Sequence, residues 1–564
     1  MKSKVYLVFA LVLTIAMLAA TACAPAENTA APTQKSTTAA GTTQTTAAER
    51  EPVTFTVAGI LPVSWNDYPE SLTAKYIQDN FGITFEVIDI TANKDALMAS
   101  GNLPDCFIIE SHEIMPLIES GFILPLDDLI AGYGPHIFPN EDVMEFQRDA
   151  LNDGEHIYGL TGYYKEAQMP GLGTATWGLN VDWQRYADLG YPEINADMDE
   201  IYQLLVDMVA LKPQTDAGLP VYGSSYPIIE MRGYSLYACN VLGEYPLQAY
   251  ISVDTATGEL TELYTDIEGP MWELNRLYFK LNQKGLLDPD SLVGDYDADS
   301  LKASNDQYVS CFYHDILGNA NTLLANEGVA DGYQFLPLKG MSLWGGADFT
   351  YGNRNMRCFG KNIENPERLM EFLDFIYTPE GKRVVVSGLE GETYNYVDGV
   401  PTLTDEVSAA YMAGGDTWAS YGLNRFNAGV EFVCTDGYGT NLFNELDFLK
   451  RNMTPMQQSV EEHYGMSMRE RAEKMFADGE VSDQSTVNMR VNNSISSLPD
   501  DLNQKLNNIN TIMVEGLVQC ALAADEATYE SLRASLIAEV QEMGIDEIYD
   551  WYIAKYNELS ELYK

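Results

Sequence analysis

The sequence is poor in basic residues and in histidine. It has 33 lysines and arginines and five histidines, against 83 acidic residues, and its formal net charge is −50. Such a charge repels nucleic acid and anionic lipid surfaces. We therefore expect no nucleic-acid partner. The charge argues only weakly against an anionic small ligand, because a local basic pocket could override it.

The short motifs of common enzyme classes are also missing. The sequence contains no HExxH, GxSxG, GxxxxGK[ST] or CxxC pair. GLGTATWG (171–178) has two glycines of a dinucleotide fingerprint, but Thr176 replaces the third and no clear strand precedes it. We expect no cofactor and no enzymatic activity. Counting carboxylates is uninformative here, because 83 acids could conceal the catalytic pair of a glycoside hydrolase.

Seven cysteines are spread thinly along the chain. Cys23 stands apart near the amino terminus, and the other six are Cys106, Cys239, Cys311, Cys358, Cys434 and Cys520. An even number permits disulfides outside the cell. Apolar surroundings such as DCFII and VSCFY instead favour buried thiols that behave as small hydrophobic residues.

One acidic stretch has partial similarity to a calcium-binding loop. GDYDADSLKASND places Asp295, Asp297, Asp299 and Asp306 at positions 1, 3, 5 and 12 of such a loop. Ser300 stands where the loop needs glycine, and position 12 is aspartate rather than glutamate. We expect an acidic loop that leads into a helix, and no metal site.

The first 22 residues have the layout of a secretory signal peptide. Lys2 and Lys4 precede an apolar run from Val5 to Ala20, and small residues lead to Cys23. The run is about 16 residues long, short of the roughly 20 that span a bilayer. The small-small-Cys ending resembles the lipobox of bacterial lipoproteins, although Ala20 stands where leucine is usual. This resemblance implies that Cys23 becomes the lipid-bearing amino terminus. The alternatives are an ordinary cleaved signal with Cys23 as a bystander, or a plain membrane anchor.

Residues 23–52 read as the lipidated cysteine followed by a tether. The segment from residue 24 to residue 52 is rich in Ala and Thr, has no aromatic residue and has few large aliphatic residues. Such a composition cannot bury enough surface to offset the backbone entropy of folding. We expect a disordered coil that holds the following domain away from the membrane.

The chain beyond the tether has the composition of a globular protein. About 510 residues are too many for one simple core and suit two lobes or more. Hydrophobic residues make up 46% of the sequence, with 35 tyrosines and 7 tryptophans. Periodicity predicts strands at 53–60, 83–90 and 106–109 that alternate with helices. This order is typical of an α/β lobe with a mostly parallel sheet.

Five segments in order resemble a known family. ALMASGNLPDCFII and LIESGFILPLDDLI look like the amino-terminal lobe of extracellular solute-binding proteins of bacterial ABC importers, in the carbohydrate-binding group. The stretch from HIYGLTGYY through TWGLNVDWQRYADLG, then WELNRLYFKLNQKGLLDPDSL, resembles the crossing to the second lobe and that lobe's middle. NPERLMEFLDFIYTPEGKRVVVSGLEGETYNYVDGVP (365–401) is the most distinctive segment.

The resemblance implies an α/β, two-lobed fold like that of type 2 periplasmic binding proteins, with a ligand cleft between lobes joined by crossover hinges. We place the amino-terminal lobe at 53–172 plus 350–410 and the carboxyl-terminal lobe at 173–349 plus 411–564. The crossovers would lie near 173–178, 345–352 and 401–415. The resemblance further implies a monomer on the extracellular face of the cell membrane. Its partners would be an oligosaccharide and the transmembrane permease subunits of an importer.

Candidate ligand-binding residues follow from loop position and residue type. Sugars offer hydroxyl groups and apolar C–H faces, so a binding protein needs aromatic rings beside amides and carboxylates, and α/β folds place ligands at the carboxyl ends of strands. The candidates after predicted strands are Trp65, Asn66, Asp67, Glu110 and His112. The candidates near the implied crossovers are Tyr163, Trp177, Trp344, Asp348, Tyr351, Trp418 and Tyr421. Each could instead be a core residue or a helix cap.

Three other functions stay open at this point. The ligand could be a peptide or a polyamine. The protein could be a surface glycoside hydrolase, which would turn its glycan over, or a purely structural surface lipoprotein.

Overall fold

The computed structural model describes eleven stretches of the chain, all within one compact unit, Ala47–Lys564. The described residues are 51–90, 94–138, 141–165, 178–226, 231–293, 296–312, 314–345, 350–352, 355–426, 429–496 and 498–564. Cys23, Trp177, Asp295 and Asp348 lie outside them, so the predictions on these four residues stay predictions.

The described residues form fifteen short strands, eight of which belong to the two sheets described below. They are β1 (Val53–Ala58), β2 (Ile83–Val87), β3 (Cys106–Glu110), β4 (Gly159–Thr161), β5 (Tyr163–Lys165), β6 (Asn180–Asp182), β7 (Glu244–Pro246), β8 (Ile251–Asp254), β9 (Leu260–Glu262), β10 (Ser310–Cys311), β11 (Tyr333–Phe335), β12 (Asn355–Phe359), β13 (Tyr394–Val397), β14 (Val400–Leu403) and β15 (Gly429–Glu431).

Helices make up most of the regular structure. They are α1 (Leu72–Phe81), α2 (Lys94–Ser100), α3 (Ile114–Glu119), α4 (Asp127–Tyr133), α5 (Glu141–Leu151), α6 (Trp183–Asp188), α7 (Met198–Leu211), α8 (Met231–Val241), α9 (Pro270–Gln283), α10 (Tyr296–Ser304), α11 (His314–Asn326), α12 (Pro366–Ile376), α13 (Pro379–Ser387), α14 (Asp405–Ala413), α15 (Gly415–Ala419), α16 (Leu446–Arg451), α17 (Pro455–Tyr464), α18 (Met468–Ala477), α19 (Met489–Ser494), α20 (Asp500–Ala521), α21 (Glu526–Glu542) and α22 (Ile545–Leu562).

The amino-terminal lobe is built on a five-stranded sheet in the order β2-β1-β3-β12-β4. Strands β1, β2 and β3 are parallel, and β12 returns antiparallel between β3 and β4. Alternate side chains face two hydrophobic layers, as period-2 strands require. Phe55 and Val57 face one layer, and Phe107 and Ile109 face the other. Because β1, β3 and β4 run in the same direction, their carboxyl ends meet at one edge of the sheet.

Two glycines in this lobe are required by geometry. Helices α12 and α13 meet at the TPEG turn, where Pro379 opens α13 and the Thr378 hydroxyl accepts a hydrogen bond from the Gly381 amide. A Cβ atom on Gly381 would lie 1.9 Å from the Phe375 carbonyl oxygen, so only glycine permits this approach. In the β13–β14 hairpin, Asp398 and Gly399 have φ angles of 51° and 86°, the signature of a type I′ turn.

The carboxyl-terminal lobe has a small antiparallel sheet, β10-β6-β11, surrounded by helices. Its core contains Leu179 to Leu343 from the first part and Met456 to Tyr552 from the last part. Helix α22 closes the lobe and buries Ile545, Ile548 and Tyr549 in that core. A separate three-stranded ribbon, β7-β8-β9, flanks it.

The predicted return to the carboxyl-terminal lobe, with its boundary at 410–411, falls within a region of continuous packing. Helix α14 runs across the predicted boundary at 410–411. One hydrophobic cluster joins Tyr394 and Val407 from before that boundary to Phe443 and Phe448 from after it. Met456 is the next residue in the carboxyl-terminal core. We therefore place this crossing between Phe448 and Met456. At the second predicted crossing, Leu343 lies in the carboxyl-terminal core and Tyr351 packs on the amino-terminal one.

The acidic stretch at 294–306 is largely helical. Helix α10 covers most of it, as expected of an acidic loop that enters a helix. Asp299 accepts a hydrogen bond from the Tyr308 hydroxyl at 3.1 Å, and Asp306 pairs with Arg185 at 2.6 Å. Within the described ranges, no group of three potential ligands could hold a metal ion. None of the helices in those ranges combines the length and the apolar character needed to span a bilayer.

Candidate functional site

The candidate site is the region where strand ends of the amino-terminal lobe meet the crossovers. Arg357 on β12 organises this edge. It is fully buried, and its guanidinium donates to the Gly162 carbonyl at 2.9 Å and to the Tyr377 hydroxyl at 3.0 Å. Tyr377 in turn donates to the Thr161 carbonyl at 2.6 Å. These bonds fix the end of β4 just before the first crossover.

The first half of the loop after β1, with Trp65 and Asn66, is held in place by contacts within the lobe. Trp65 is 6% exposed and packs edge-on against Phe426, with ring centroids 5.6 Å apart. The Asn66 amide donates to the Val87 carbonyl at 2.8 Å and accepts from the Val87 amide at 2.9 Å, which mimics a strand partner. Trp65 is thus a core residue, and the exposed Asn66 amide is already bonded to the Val87 backbone. We therefore leave Trp65 and Asn66 out of the site that we propose below.

The second half of the same loop faces solvent. Asp67 is exposed, and the Tyr68 hydroxyl donates to Asp416 Oδ1 at 2.8 Å. That hydrogen bond to Asp416 is the main reason that the pKa of Tyr68 is raised. Asp416 lies in the first turn of α15, two residues before Trp418. The structure thus joins two candidate segments that are far apart in the sequence.

Trp418 and Tyr421 lie on one aromatic cluster. Trp418 is half-buried and packs edge-on against Tyr411 and Phe443, with centroid distances of 5.1 Å and 5.0 Å. Tyr421 is 6.2 Å from Trp418, and its hydroxyl lies 3.3 Å from Glu406. Each ring leaves part of its surface accessible beside the loop that carries Asp67.

The residues after β3 form a helix cap. The carboxylate of Glu110 accepts from the Glu113 amide, and the carboxylate of Glu113 accepts from the Glu110 amide at 2.9 Å. Lys94 pairs with Glu113 at 2.6 Å. His112 lies in the short 3₁₀ turn between them, and its side chain is outside the description. The backbone therefore places His112 at the sheet edge and assigns Glu110 a capping role.

Two candidates lie at the crossovers on the amino-terminal side. Tyr163 is in β5, which pairs in parallel with β15, and its side chain is outside the description. Tyr351 is half-buried; it packs on Phe146 and lies beneath the guanidinium of Arg490. Its ring is thus held by protein groups on more than one side.

Trp344 forms the clearest platform on the carboxyl-terminal side. Its half-buried indole stacks on Tyr245 of β7, with centroids 5.9 Å apart and planes 28° apart. Ser342 is bridged in parallel to Ser482, and the Leu343 amide donates to the Ser482 carbonyl at 2.8 Å. The Gln484 amide then donates to the Gly345 carbonyl at 3.1 Å, so the backbone of Gln484 lies next to the residue that follows Trp344.

Polar groups collect behind this platform. Gln484 Nε2, Ser342 Oγ and both polar atoms of the Asn240 amide are buried, with no hydrogen-bond partner in the part of the chain that the structure describes. Burial raises the pKa of Glu244, which accepts a hydrogen bond from Ser252. Sequence reasoning missed Tyr245, Gln484 and Asn240, because no local motif marks residues that long-range packing brings to Trp344.

Comparisons with known proteins agree with this architecture. No family model matches the chain, and no curated protein matches its sequence. Solved structures do match. The Streptococcus pneumoniae ABC-transporter substrate binding protein FusA, in complex with kestose, is 14% identical with a TM-score of 0.61, over 91% of this chain and 99% of that one.

Two further structures have the same fold. The alginate-binding protein AlgQ2, without calcium ion, is 14% identical with a TM-score of 0.58, over 90% of this chain and 98% of that one. A solute-binding protein from Bifidobacterium longum infantis, described as HMO binding and ABC-transporter associated, is 14% identical with a TM-score of 0.58, over 90% and 99%. The chain therefore has the two-lobed α/β fold of ABC-transporter solute-binding proteins, as the sequence predicted.

Proposed function

We propose that this protein is the substrate-binding component of an ABC importer, which captures an oligosaccharide outside the cell and delivers it to a membrane permease. The observation that carries the proposal is the Trp344–Tyr245 stack on one lobe, within a chain folded like solute-binding proteins over nine-tenths of its length. A half-exposed aromatic pair suits the apolar face of a sugar ring. The structural neighbours described as binding kestose, alginate or HMO support a carbohydrate ligand.

The proposed contact set spans both lobes. Asp67, Trp418 and Tyr421 would act from the amino-terminal side, and Trp344 and Tyr245 from the carboxyl-terminal side, with Gln484 as a polar neighbour. His112, Tyr163, Trp177 and Asp348 remain proposed contacts. We assign the protein no chemistry of its own. Lobes joined by crossovers can close on a ligand by hinge bending, which presents a closed form to the permease.

The lipid anchor is part of the same proposal. Cys23 after an apolar run and a small-residue ending supports lipidation, and the Ala/Thr-rich segment that follows supports a tether. Anchoring would keep the binding protein near its permease and raise its effective concentration there. Replacing Cys23 with serine should release the protein from the membrane fraction into the medium. Equal retention of this variant would contradict lipidation.

Thermal unfolding tests the binding function. Residues 47–564, which form one compact unit, would be heated with neutral and acidic oligosaccharides, with peptides and with polyamines. A ligand that binds only the folded state stabilises it by RT ln(1 + [L]/Kd), about 2.7 kcal/mol at 100 times Kd. We expect a rise in Tm with one glycan class and no product from that glycan. A rise with a peptide or polyamine alone would overturn the carbohydrate assignment, and glycan cleavage would overturn the non-enzymatic one.

A further inference from the structure

Arg490 on α19 has an unusual environment for a chain so rich in carboxylates. With 83 acidic residues in the sequence, no carboxylate within the described ranges lies at ion-pair distance from it, and its Nε is buried without a hydrogen-bond partner. Instead its guanidinium carbon lies 4.2 Å from the ring of Tyr351, 4.5 Å from Tyr563 and 5.4 Å from Phe146. A planar guanidinium stacks well on aromatic rings.

The three rings come from three parts of the molecule. Phe146 is in α5 of the amino-terminal lobe, Tyr351 is in the second crossover, and Tyr563 follows α22 next to the last residue. Phe146 also packs edge-on against Tyr351 at 5.4 Å and against Tyr563 at 5.8 Å. We call Arg490 and these three residues the aromatic clamp.

Hydrogen bonds hold the crossover backbone at the same place. The Tyr351 carbonyl accepts from Gln147 Nε2 at 2.5 Å, and the neighbouring Gly352 carbonyl accepts from Asn493 Nδ2 at 2.9 Å. Gln147 and Asn493 are both buried. The crossover is therefore bound from the amino-terminal lobe by α5 and from the other side by α19.

The carboxyl terminus is bound to α19 in the same way. The Tyr563 carbonyl accepts from Asn488 Nδ2 at 3.3 Å, and the Tyr563 hydroxyl lies 3.2 Å from Ser494 Oγ. Helix α22 and the residue after it connect the two lobes. The first half of the helix is buried in the carboxyl-terminal core, and Tyr563 packs on the hydrophobic layer of the amino-terminal sheet. A change in the angle between the lobes would therefore disturb the packing at one end of α22.

We propose that the aromatic clamp is a pivot that restrains the second crossover and thereby limits the range of angles between the two lobes in the ligand-free protein. Its contacts converge on Tyr351 and Gly352, which belong to the connection about which the lobes would turn. Loss of Tyr563, or of the planar guanidinium of Arg490, removes the contacts that hold the second crossover on one side. The lobes then sample a wider range of separations, although the fully buried residues of both cores stay in place.

A distance measurement between spin labels tests the clamp without any ligand. Labels on Gln78→Cys in α1 and Ala210→Cys in α7 report on the two lobes from exposed helix positions. Pulsed electron–electron double resonance on residues 47–564 then gives the distribution of distances between the two labels. We expect that distribution to widen by about twofold when residues 563 and 564 are deleted, since hinge segments absorb most of a lobe rotation. Arg490→Lys, which keeps the charge but removes the plane, should widen it in the same direction.

Two controls separate the clamp from general loosening. Deleting Lys564 alone removes a terminal charge but leaves Tyr563. Arg471→Ala removes a similar stack, with the guanidinium 4.3 Å from the ring of Tyr464 in the carboxyl-terminal lobe. Both should keep the wild-type width, and all variants should keep the wild-type far-UV spectrum. A wild-type width after deletion of 563–564, or equal widening in the Arg471 control, would overturn the proposal. Because no ligand is used, this result is independent of whether the protein binds a glycan.

Discussion

The hydroxyl of Tyr68 donates a 2.8 Å hydrogen bond to the carboxylate of Asp416. Tyr68 follows the first strand of the amino-terminal sheet, and Asp416 lies in the first turn of α15, which carries Trp418. The Thr73 amide adds a 3.3 Å bond to the Tyr421 carbonyl. The loop with Asp67 and the segment with Trp418 and Tyr421 are therefore one structural unit, although about 350 residues separate them.

Removal of the Tyr68 hydroxyl should loosen this unit locally. In Tyr68→Phe, the α15 segment loses its tie to the first loop, while Trp65 and Phe426 keep the loop's buried half in place. We expect faster amide hydrogen exchange in residues 414–421 and unchanged exchange in the core of β1. Deuterium uptake by mass spectrometry measures both in one experiment. Equal uptake at 414–421 in wild type and variant would show that the hydrogen bond does not couple the two segments.

Trp65 and Trp344 should respond in opposite ways to replacement by alanine. Trp65 is buried against Phe426, and truncation of a buried aromatic residue costs about 3–5 kcal/mol. Trp344 is half-buried and stacks on Tyr245 at the edge of the proposed site. We expect Trp65→Ala to lower the free energy of unfolding strongly with little change in glycan affinity when folded.

Trp344→Ala should give the reverse result. We expect a loss of glycan affinity of about tenfold or more, comparable to a lost aromatic anchor, and a small change in stability. Urea unfolding and calorimetric titration measure the two effects separately. Tyr245→Phe is a matched control, because it keeps the stacked ring. A strong affinity loss in Trp65→Ala together with none in Trp344→Ala would relocate the site to the amino-terminal loop.

Local patterns were sufficient to predict the first lobe. The strands predicted at 53–60, 83–90 and 106–109 correspond to β1, β2 and β3, because each run is rich in β-branched and aromatic residues. Helix α1 lies between the first two of these strands, as expected, and Gly82 caps it in the left-handed conformation. Short-range rules suffice where each element's signal lies within its own residues.

Roles that depend on distant packing were not predictable. The sequence around Trp65 is typical of an exposed loop, but Phe426 covers the ring in the folded protein. The 401–415 segment has the composition of a hinge, but its Tyr411 packs on Phe443 with centroids 4.5 Å apart. Tyr245 and Gln484 carry no motif, and only a long-range contact, the bond from the Gln484 amide to the Gly345 carbonyl, brings Gln484 near Trp344. Period and composition contain no information on which distant residues meet.

The Arg383–Asp436 pair should make stability depend on pH in acid. Arg383 contacts both oxygens of Asp436, with the longer bond at 3.1 Å, and the Tyr396 hydroxyl donates at 2.7 Å. Burial opposes the charge, but these hydrogen bonds lower the pKa of Asp436 to about 2. Because the folded pKa is below the unfolded value, the stabilisation is present above pH 4 and is lost as the pH falls through about 2.

Asp436→Asn isolates this effect. We expect the variant to be about 1–2 kcal/mol less stable than wild type at pH 7, after allowance for solvent screening, and the difference to shrink towards pH 2.5. Urea unfolding at both pH values measures it. Asp478→Asn is the control, because its pairing with Lys474 is a half-exposed contact within one helical turn. A difference that stays constant with pH would show that Asp436 acts through packing rather than charge.

The six cysteines beyond Cys23 should all be unreactive thiols in the folded protein. Each is buried, and the structure pairs none of them in a disulfide. Burial raises the pKa of Cys106 to about 12 and that of Cys434 to about 11, which suppresses the thiolate that alkylating reagents need. For residues 47–564 without reductant, we expect no carbamidomethylation within minutes at pH 7.5 and six modifications after denaturation. Cys434, at 8% exposure, should react first in mild urea. Disulfide-linked peptides in the native digest, or fewer than six modifications after denaturation, would show that some of these cysteines pair outside the cell.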